Sequence, residues 1–323
     1  MTMIVPPAEW APHKAVWIGF PSHPELWEDD LEPAREEVAA FGRAVHVGGK
    51  GERVILVAAD DAAAQAAEQM AGDYAEVVVQ PFGDIWLRDT GPILLGDGSA
   101  RSFRFNGWGG KYDLPGDDDV GLRLAATIEA PVERCEWVLE GGAIDGDGTG
   151  RLVTTEQCLL NPNRNPDLSK DEIAARLRDD LGFSEILWLG DGLLNDHTDG
   201  HVDNLARFVA PGVVAIPEPT ENDPNAAVYS QAADAAVAAG LKVSRIPSPG
   251  EVLRDDEIVP ASYMNFYIGN AAVVVPLYGA PNDDAAVAAV QALFPDREAV
   301  GLRADAILTG GGSFHCISQQ IPA

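Results

Sequence analysis

Cysteine and positive charge are both scarce in this sequence of 323 residues. Its three cysteines are too few and of the wrong parity for a disulfide framework, so each is expected to be a free thiol in a reducing compartment. Lys and Arg number 22 against 51 Asp and Glu, and the formal net charge of -29 repels nucleic acid and anionic lipid but attracts small cations. There is no uninterrupted apolar run of about 18 residues, and residues 1–20 lack the basic start and apolar run of a leader. We therefore expect a cytoplasmic protein that binds neither nucleic acid nor membrane.

Length and composition are those of an ordinary globular protein. Hydrophobic residues make up 46% and charged residues 23% of the chain, which excludes disordered and membrane proteins as classes. The chain is long enough for a large core, and we expect one catalytic domain over residues 1–323. The acidic surface has a second interpretation, in which it serves solubility alone.

The order of the predicted elements repeats along the chain. A β-hairpin, an amphipathic helix and a strand occur in this order four times, after the polar residues Asp89, Glu140, Asp203 and Asn265. In the second unit, Ser169 is expected to cap the helix and Gly182 to end it. The four opening residues are spaced by about 50 to 60 residues, a period that is typical of circular or stacked repeats.

A fifth unit requires both ends of the chain. The segment "HCISQQIP" is predicted to pair with the N-terminal "AVWIGFP", while "EPAREEVAAFGRAV" and "RVILVAA" supply the helix and the next strand. This pairing removes an exposed sheet edge, as in propellers. Cys316 then opens the fifth unit, and all five opening residues are expected to meet at the centre of a ring. The alternative is an open α/β sheet without hairpins.

The segment "NDHTDGHVDNLARF" combines four residues of types that bind metals: His197, Asp199, His201 and Asp203. A zinc site of the H-E-x-x-H kind requires a helix, but the turn-forming residues here favour a strand from His201 onward, with His201 and Asp203 on one side. Acid/base chemistry by His201 is therefore the favoured hypothesis, and metal binding or a structural turn are alternatives. Residues 145–156 have the spacing of a calcium loop, but their flanks are strand-like and predict a hairpin turn.

The three thiols differ in their surroundings. Cys135 and Cys158 lie in apolar strand patterns, where cysteine is usually a small buried hydrophobe. Cys316 follows a triple glycine that ends at Gly312, and the backbone N–H groups of such a loop can stabilise a thiolate or a developing negative charge. A plain turn before an edge strand is the alternative. His315 is expected to point to the opposite side of the strand, so it is not chosen as the base.

An aromatic residue close to a carboxylate predicts a cation site. In "GDIWLRDTGP", Trp86 offers a π face and Asp89 a charge, although a core tryptophan and a turn-capping aspartate are the simpler alternative. If the opening residues converge, their carboxylates need a cation between them, and guanidinium binds carboxylates through paired hydrogen bonds. The Cys316 thiolate can then attack the guanidinium carbon, while His201 protonates the departing ammonia and later deprotonates water. This chemistry needs no metal or cofactor and yields a ureido compound.

Eight motifs in this order resemble the agmatine deiminases, relatives of the bacterial peptidylarginine deiminases: "WIGFPS", "DIWLRDTGP", "FNGWGGKY", "LEGGAIDGDGTG", "NPNRNP", "DGHVDNLARF", "YMNF" and "GGGSFHCISQQIP". The resemblance covers almost the whole chain. It implies a five-bladed α/β propeller, the pentein fold, built of pseudo-fivefold ββαβ repeats and closed by the N- and C-terminal strands. It also implies a homodimer that converts agmatine to N-carbamoylputrescine and ammonia in putrescine and polyamine synthesis, through a covalent amidino-cysteine and without a cofactor.

The resemblance also implies a role for each matching residue. Cys316 is the expected nucleophile and His201 the acid/base. The expected catalytic carboxylates are those of Asp89, Glu140 and Asp203. The substrate-binding residues are expected to be Trp86, Asp89, Asp203 and Asn265, and the glycine loop adds Gly312 to them.

Departures from the family pattern bear on substrate choice. Ala143, Ile144 and Asp145 after "EGG", and Ser313 and Phe314 before "HC", are expected to line the region that binds the substrate's tail. Candidate partners for an α-carboxylate are Arg101, Arg104 and Lys111, so a deiminase of free or peptidyl arginine is an alternative. Others are an amidinotransferase on the same fold, a zinc hydrolase built on His197, Asp199 and His201, and a non-enzymatic polyamine binder.

Overall fold

Eighteen strands and eleven helices alternate along the chain in a computed structural model, which describes residues 4–323. The strands are β1 (His13–Gly19), β2 (Arg53–Ala58), β3 (Ala75–Val79), β4 (Ile93–Leu94), β5 (Ala100–Arg104), β6 (Val132–Val138), β7 (Ile144–Gly146), β8 (Arg151–Thr154), β9 (Glu185–Trp188), β10 (Arg207–Ala210), β11 (Val213–Glu218), β12 (Lys242–Pro247), β13 (Leu253–Arg254), β14 (Glu257–Ile258), β15 (Tyr267–Ile268), β16 (Ala272–Leu277), β17 (Glu298–Arg303) and β18 (Ser318–Pro322). The helices are α1 (Pro24–Trp27), α2 (Leu31–His46), α3 (Asp61–Ala71), α4 (Leu87–Thr90), α5 (Gly107–Gly110), α6 (Asp117–Thr127), α7 (Glu156–Leu159), α8 (Lys170–Leu181), α9 (Ala226–Ala238), α10 (Asp283–Leu293) and α11 (Asp305–Thr309). The predicted domain, 1–323, extends to residues 1–3, which lie outside the described residues.

The strands form five larger sheets and one small hairpin, and the larger sheets share one topology. Four of them have the orders β4-β5-β6, β7-β8-β9, β10-β11-β12 and β15-β16-β17, in which an antiparallel pair is followed by a parallel strand. A helix crosses between the second and third strand of each, because parallel neighbours need a long connection. The repeat of hairpin, helix and strand is thus present four times, as predicted.

The fifth sheet joins the two ends of the chain. Its order is β18-β1-β2-β3, and β18 pairs antiparallel with β1 so that Trp17 lies opposite Gln319 and Ile18 opposite Ser318. The predicted pairing of "HCISQQIP" with "AVWIGFP" is therefore present. Helix α3 and strand β3 extend this unit beyond the predicted ββαβ pattern. No described helix has both the length and the apolar character that crossing a bilayer requires.

Helix α8 shows how the sequence sets the element boundaries. Ser169 and Glu172 form a reciprocal capping box, and Gly182 ends the helix in the left-handed conformation at φ 76. Both predictions for this helix are confirmed. Its apolar face carries Ile173 and Leu177 one turn apart, and both are buried against the second sheet.

Buried charge joins several of the repeated units. The fully buried Arg207 of β10 donates from Nε to Asp145 Oδ2 (2.7 Å) and from Nη2 to Glu9 Oε2 (2.8 Å), and from Nη1 to the carbonyls of Met264 and Phe266. Asp145 belongs to the second unit, Arg207 to the third and Phe266 to the fourth. One guanidinium therefore ties three units and the N-terminal segment together.

Replacing Arg207 by alanine is expected to lower the free energy of unfolding by about 3–5 kcal/mol, because Asp145 would remain buried without its counter-charge and Glu9 would keep only His315 and Arg88. The matched control is Arg151→Ala, which removes an exposed pair with Glu185 and should cost less than about 1 kcal/mol. Urea denaturation of both variants measures the difference. Equal losses would show that the buried network does not hold the units together.

Candidate active site

The five opening residues come from five different units and meet at one place: Asp89, Glu140, Asp203, Asn265 and Cys316 are all buried. Cys316 Sγ lies 3.3 Å from Asp203 Oδ2 and 3.0 Å from Asn265 Nδ2. Gly142 marks the other side of the cluster, because a Cβ there would lie 2.7 Å from Asp89 Oδ1, 2.6 Å from His201 Nδ1 and 3.1 Å from Asp203 Oδ2. The structure thus brings a thiol, an imidazole, three carboxylates and an amide together.

Short helical turns, not strand ends, carry these residues. Val202–Asn204 is a 3-10 turn and β10 begins only at Arg207, so the prediction of a strand from His201 onward is wrong. Local side-chain bonds compete with the extended form here: His201 N donates to Thr198 Oγ1 (3.0 Å) and Asn204 Nδ2 to Asp196 Oδ2 (3.2 Å). The turn nevertheless directs both His201 and Asp203 into the cluster.

Asn265 holds the turn that carries the thiol. Its Oδ1 accepts from the backbone N–H groups of His315 (3.1 Å) and Cys316 (3.2 Å), while its Nδ2 donates to Cys316 Sγ. Residues 314–317 form this turn just before β18, so Cys316 precedes the strand instead of opening it. Asn265 was predicted to bind substrate, and its side-chain contacts in the structure are with the turn that carries Cys316 and with Asn204.

His315 is turned into the buried charge network. Its Nδ1 lies 2.8 Å from Asp203 Oδ2 and its Nε2 lies 2.9 Å from Glu9 Oε2. The prediction that it points away from the site is wrong, because it lies in a turn where strand alternation does not apply. Burial alone would raise the pKa of Asp203, but His315 and His201 hold that pKa below its usual range. Asp203 is thereby kept as a carboxylate.

His201 is fully buried among acids. Its Nδ1 lies 3.6 Å from Asp89 Oδ1, and neither ring nitrogen has a hydrogen-bond partner within residues 4–323. Burial lowers the pKa of His201, but Asp89, Cys158 and Glu140 outweigh this and hold it well above the ordinary value. The ring is therefore set to carry a proton at neutral pH.

Cys158 and Arg164 belong to this region, although their roles were not predicted. Cys158 lies in α7 and not in a strand, and its sulfur is part of a group with His201 and Glu140 whose ligand atoms are all within 4.8 Å of one another. Arg164 donates from Nε to Glu140 Oε1 and from Nη1 to Asp199 Oδ2, both at 2.6 Å. The motif "NPNRNP" contains Arg164, but only the fold shows that it anchors Glu140.

A cavity of about 180 Å³ opens onto Cys316 and Asp89. Aromatic, acidic and glycine residues dominate its lining, which comprises Leu26, Trp27, Asp84, Trp86, Asp89, Trp108, Tyr112, Leu114, His197, Thr198, Thr309, Gly310, Gly311, Gly312 and Cys316. Lys and Arg are absent from this lining within the described part of the chain. Its chemistry therefore suits a slender cation with an apolar middle.

Trp86 forms one wall of the cavity, and glycine lets the thiol loop approach it. A Cβ on Gly312 would lie 2.5 Å from the Trp86 ring and 3.0 Å from Cys316 Cβ, so a larger residue would displace one of them. Asp84 fixes the indole, accepting from Trp86 Nε1 at 2.6 Å and from Trp27 Nε1 at 3.2 Å. Gly312 was predicted to bind substrate. Its position gives it a steric role, because the absence of a side chain lets the thiol loop lie against Trp86.

Trp108 is a second indole at the site and was missed as a functional residue. Its Nε1 donates to Asp89 Oδ2 at 3.0 Å, and its backbone has a φ of 53, which is strained for a tryptophan. Gly107 and Gly109 on either side also have positive φ, so the glycines of "FNGWGGKY" permit this tight loop. In the sequence, the tryptophan with its flanking glycines is the feature that could have indicated this role.

The five departures from the family pattern lie outside the cavity. Phe314 is buried and stacks on Phe41 at 4.8 Å between ring centroids, and Ser313 is buried beside it. Asp145 pairs with Arg207, and Ala143 and Ile144 are buried in the second unit. The expectation that these residues line the region of the substrate's tail is therefore wrong.

The candidate partners for an α-carboxylate are engaged elsewhere. Arg101 pairs with Glu133, and Arg104 pairs with Asp118 and Glu136. Lys111 lies near the mouth of the cavity, where its Nζ is 2.6 Å from Asp199 Oδ1 and 2.7 Å from the carbonyl of His197. All three cations are thus already neutralised.

The alternative zinc site is not assembled among the described residues. His197 is exposed and lies 3.1 Å from the Tyr112 hydroxyl, whereas Asp199 binds Lys111 and Arg164. The ligand atoms of His197, Asp199 and His201 do not form a close group there. That alternative is therefore wrong in its choice of ligands.

Comparisons with known proteins find relatives that match almost the whole chain. The family model of the Porphyromonas-type peptidyl-arginine deiminases matches residues 5–322. The agmatine deiminase of Stutzerimonas stutzeri (strain A1501) is 39% identical over 353 aligned positions, covering 98% of this chain and 95% of that protein. The structure of the agmatine deiminase of Enterococcus faecalis is 33% identical with a TM-score of 0.93, covering 99% of this chain and 96% of that one. A Cys-to-Ser variant of the C. Jejuni agmatine deiminase with substrate bound is 28% identical with a TM-score of 0.91, covering 99% and 97%.

Proposed function

Since the chain belongs to the Porphyromonas-type peptidyl-arginine deiminase family, we propose that it hydrolyses agmatine to N-carbamoylputrescine and ammonia. The observation that carries this proposal is the meeting of Cys316, His201, Asp89 and Asp203 at the end of an aromatic cavity without a lining cation. For hydrolysis, a guanidinium group needs carboxylates that bind its N–H groups, a thiolate that attacks its carbon and an imidazole that exchanges protons.

Asp89 and Asp203 are the proposed guanidinium-binding carboxylates. Both are buried, and Asp203 Oδ1 has no hydrogen-bond partner among residues 4–323. A buried, unpartnered carboxylate oxygen is costly, and a planar cation with several N–H donors relieves that cost. Trp86 and Trp108 provide flat apolar surfaces on which the guanidinium plane can lie.

Substrate charge is proposed to activate the nucleophile. Burial raises the pKa of the Cys316 thiol well above its usual range, and the carboxylates of Asp203 and Asp89 raise it further. A guanidinium bound between those carboxylates cancels their effect. The free enzyme thus keeps a protected thiol. When the cation is in place the thiol loses its proton to solvent and the thiolate forms.

The reaction then needs one acid/base group. The Cys316 thiolate attacks the guanidinium carbon and forms a C–S bond. The C–N bond to one terminal nitrogen breaks, and His201 gives its proton so that ammonia leaves. A water then adds to the amidino carbon while His201 takes a proton from it. Cleavage of the C–S bond releases the ureido product and restores Cys316.

The tail of the substrate is proposed to select agmatine. Agmatine ends in an amine. Arginine carries a carboxylate as well, which would lose its hydrating water in the cavity and would find no Lys or Arg to pair with among the described lining residues. We expect kcat/KM for agmatine to exceed that for free arginine and for an arginine-containing peptide by at least about 100-fold. Ammonia and ureido product, assayed side by side for the three substrates, measure this ratio. Faster turnover of arginine or the peptide would overturn the choice of substrate.

An acid limb is expected in the pH profile of kcat/KM. The pKa of Asp89 is raised to about 6. Burial is the largest cause and Asp203 and Glu140 act in the same direction, while His201 and the Trp108 indole oppose the shift. As the pH falls through about 6, Asp89 gains a proton and loses the charge that binds guanidinium. We expect kcat/KM to drop about tenfold for each pH unit below this value. Protonation of Asp89 should not unfold the protein, because a carboxyl with a raised pKa in the folded state favours folding once it is protonated. A flat profile down to pH 5, or an unchanged limb in Asp89→Asn, would contradict this role.

Four further properties are proposed, each with its own test. We propose a homodimer, as the family resemblance implies, and sedimentation velocity tests it. The cytoplasm is the proposed location, because the mechanism needs a reduced thiol, and cell fractionation tests it.

The net charge of -29 supports the absence of a nucleic-acid partner, which a gel-shift assay checks. The apolar cluster that joins residues of both chain ends supports one domain, for which calorimetry should show a single transition.

A further inference from the structure

We propose that Glu140, Cys158 and His201 form an inhibitory binding site for Zn²⁺ and similar transition-metal ions. A Glu140 carboxylate oxygen, the Cys158 sulfur and a His201 ring nitrogen all lie within 4.8 Å of one another. Thiolate, imidazole and carboxylate are together the ligand set that zinc prefers in proteins. Glu140 and Cys158 come from the second unit and His201 from the loop that leads into the third, so the fold itself assembles the group.

The ligand atoms are buried and unsatisfied, which distinguishes this group from a surface cluster. All three side chains are fully buried. Glu140 Oε2 and both ring nitrogens of His201 have no hydrogen-bond partner within the described residues. Arg164 binds the other oxygen, Oε1, at 2.6 Å, and so leaves Oε2 available while holding the carboxylate in place. Unsatisfied buried polar atoms in a native fold call for a partner, and a metal ion supplies one.

The spacing is close to that of a bound site. Zinc lies roughly 2.3 Å from sulfur and 2.0–2.2 Å from nitrogen or oxygen, so tetrahedral ligands lie roughly 3.3–3.6 Å apart. The ligand atoms, which lie within 4.8 Å of one another, therefore have to move closer together by little more than about 1 Å. Three protein ligands leave a fourth position for water. Binding releases two protons to solvent, one from the Cys158 thiol and one from the His201 ring, which is protonated in the metal-free protein.

Occupation of this site would stop turnover. The metal takes a lone pair of His201, which then cannot exchange protons with ammonia or water. It also places positive charge beside Asp89, where the guanidinium cation is expected to bind. The ion is thus an inhibitor, in contrast to a catalytic zinc on His197 and Asp199.

Cobalt binding to the Cys316→Ser protein tests the site without the nucleophile. We expect a thiolate-to-cobalt charge-transfer band in the near ultraviolet with one Co²⁺ per chain. Cys135→Ser in the same background is the matched control and should keep the band, because Cys135 lies in β6 away from the group. Cys158→Ser in that background should lose it. Absence of the band in Cys316→Ser, or its persistence without Cys158, would overturn the site.

A second measurement needs no change at Cys158. Crystals of Cys316→Ser soaked with Zn²⁺ should show anomalous density between Glu140, Cys158 and His201. Density only at surface carboxylates would overturn the proposal even if the Cys158 variants fold poorly.

The inhibition itself rests on the proposed function. Zn²⁺ should suppress agmatine turnover of the wild-type enzyme, and a chelator should restore it. In Cys158→Ser, measured against its own metal-free rate, the inhibition constant should rise at least about tenfold, and in Cys135→Ser it should not. Equal inhibition of both variants would contradict the site. If the metal-free enzyme does not turn over agmatine, the proposed function fails, whereas the cobalt and diffraction results still decide the metal site.

Discussion

Replacing Cys316 by serine is expected to lower agmatine turnover by about 10⁴-fold or more. A serine hydroxyl in this environment keeps its proton, because a hydroxyl is a much weaker acid than a thiol and the same burial and carboxylates that raise the pKa of Cys316 oppose its ionisation too. The covalent step therefore does not occur. Ammonia release measured at saturating agmatine gives the residual rate.

The control for this change is Cys135→Ser, which replaces a buried thiol outside the site and should retain most of the activity. Isothermal calorimetry on Cys316→Ser separates binding from chemistry, because Asp89, Trp86 and Trp108 are intact in that variant. We expect it still to bind agmatine. Substantial turnover by Cys316→Ser would show that the nucleophile is misassigned.

Replacing His201 by asparagine is expected to lower kcat by about 10²–10⁴-fold with a smaller change in KM. Asparagine can donate a hydrogen bond but cannot exchange a proton with the leaving ammonia or the attacking water. A residue that only supported the fold would reduce stability and leave the pH profile intact. Steady-state kinetics over a range of pH distinguish the two roles.

His197→Asn is the matched control for this variant. His197 lines the mouth of the cavity and is exposed, so its loss should change KM by less than about tenfold and leave kcat nearly unchanged. If both histidine variants lost activity equally, proton transfer could not be assigned to His201.

The repeat was the most informative part of the sequence for predicting the fold. Hairpin and helix signals such as Ser169 and Gly182 are local, and their fourfold recurrence predicted a circular or stacked repeat. The family resemblance implied the pentein fold, which the structural neighbours confirm. Because equivalent positions in equivalent units lie at equivalent places, the spacing alone predicted that Asp89, Asp203 and Cys316 would come together. Their catalytic roles remain proposals.

What the sequence did not predict depends on contacts between units. Val202–Asn204 and residues 314–317 form turns because of side-chain bonds with Thr198 and Asn265, which a period-two pattern cannot anticipate. Departures from a family motif, such as Phe314, were assigned to the substrate cavity although the side chain packs on Phe41. Proximity in sequence to a catalytic residue is a poor guide to the direction of a side chain.

Cys158 illustrates the same limit. Its apolar neighbours predicted a buried hydrophobe, and it is buried, but beside His201 and not in an ordinary core position. Arg164 is similar, since an arginine in a loop motif gives no sign that it will be fully buried against Glu140. Cys158 acquires His201 as a neighbour only when the second unit packs against the loop before the third, and Arg164 reaches Glu140 only when the second unit folds on itself.

The most direct test of the account is peptide mass spectrometry on the wild-type enzyme, quenched with acid during turnover of saturating agmatine. The central claim is that agmatine is hydrolysed through a covalent bond to Cys316. We predict that the peptide containing Cys316 carries the mass of agmatine less one ammonia, that Cys135 and Cys158 remain unmodified, and that the adduct decays as N-carbamoylputrescine is released. Sustained turnover with an unmodified Cys316 peptide at every quench time would contradict the account.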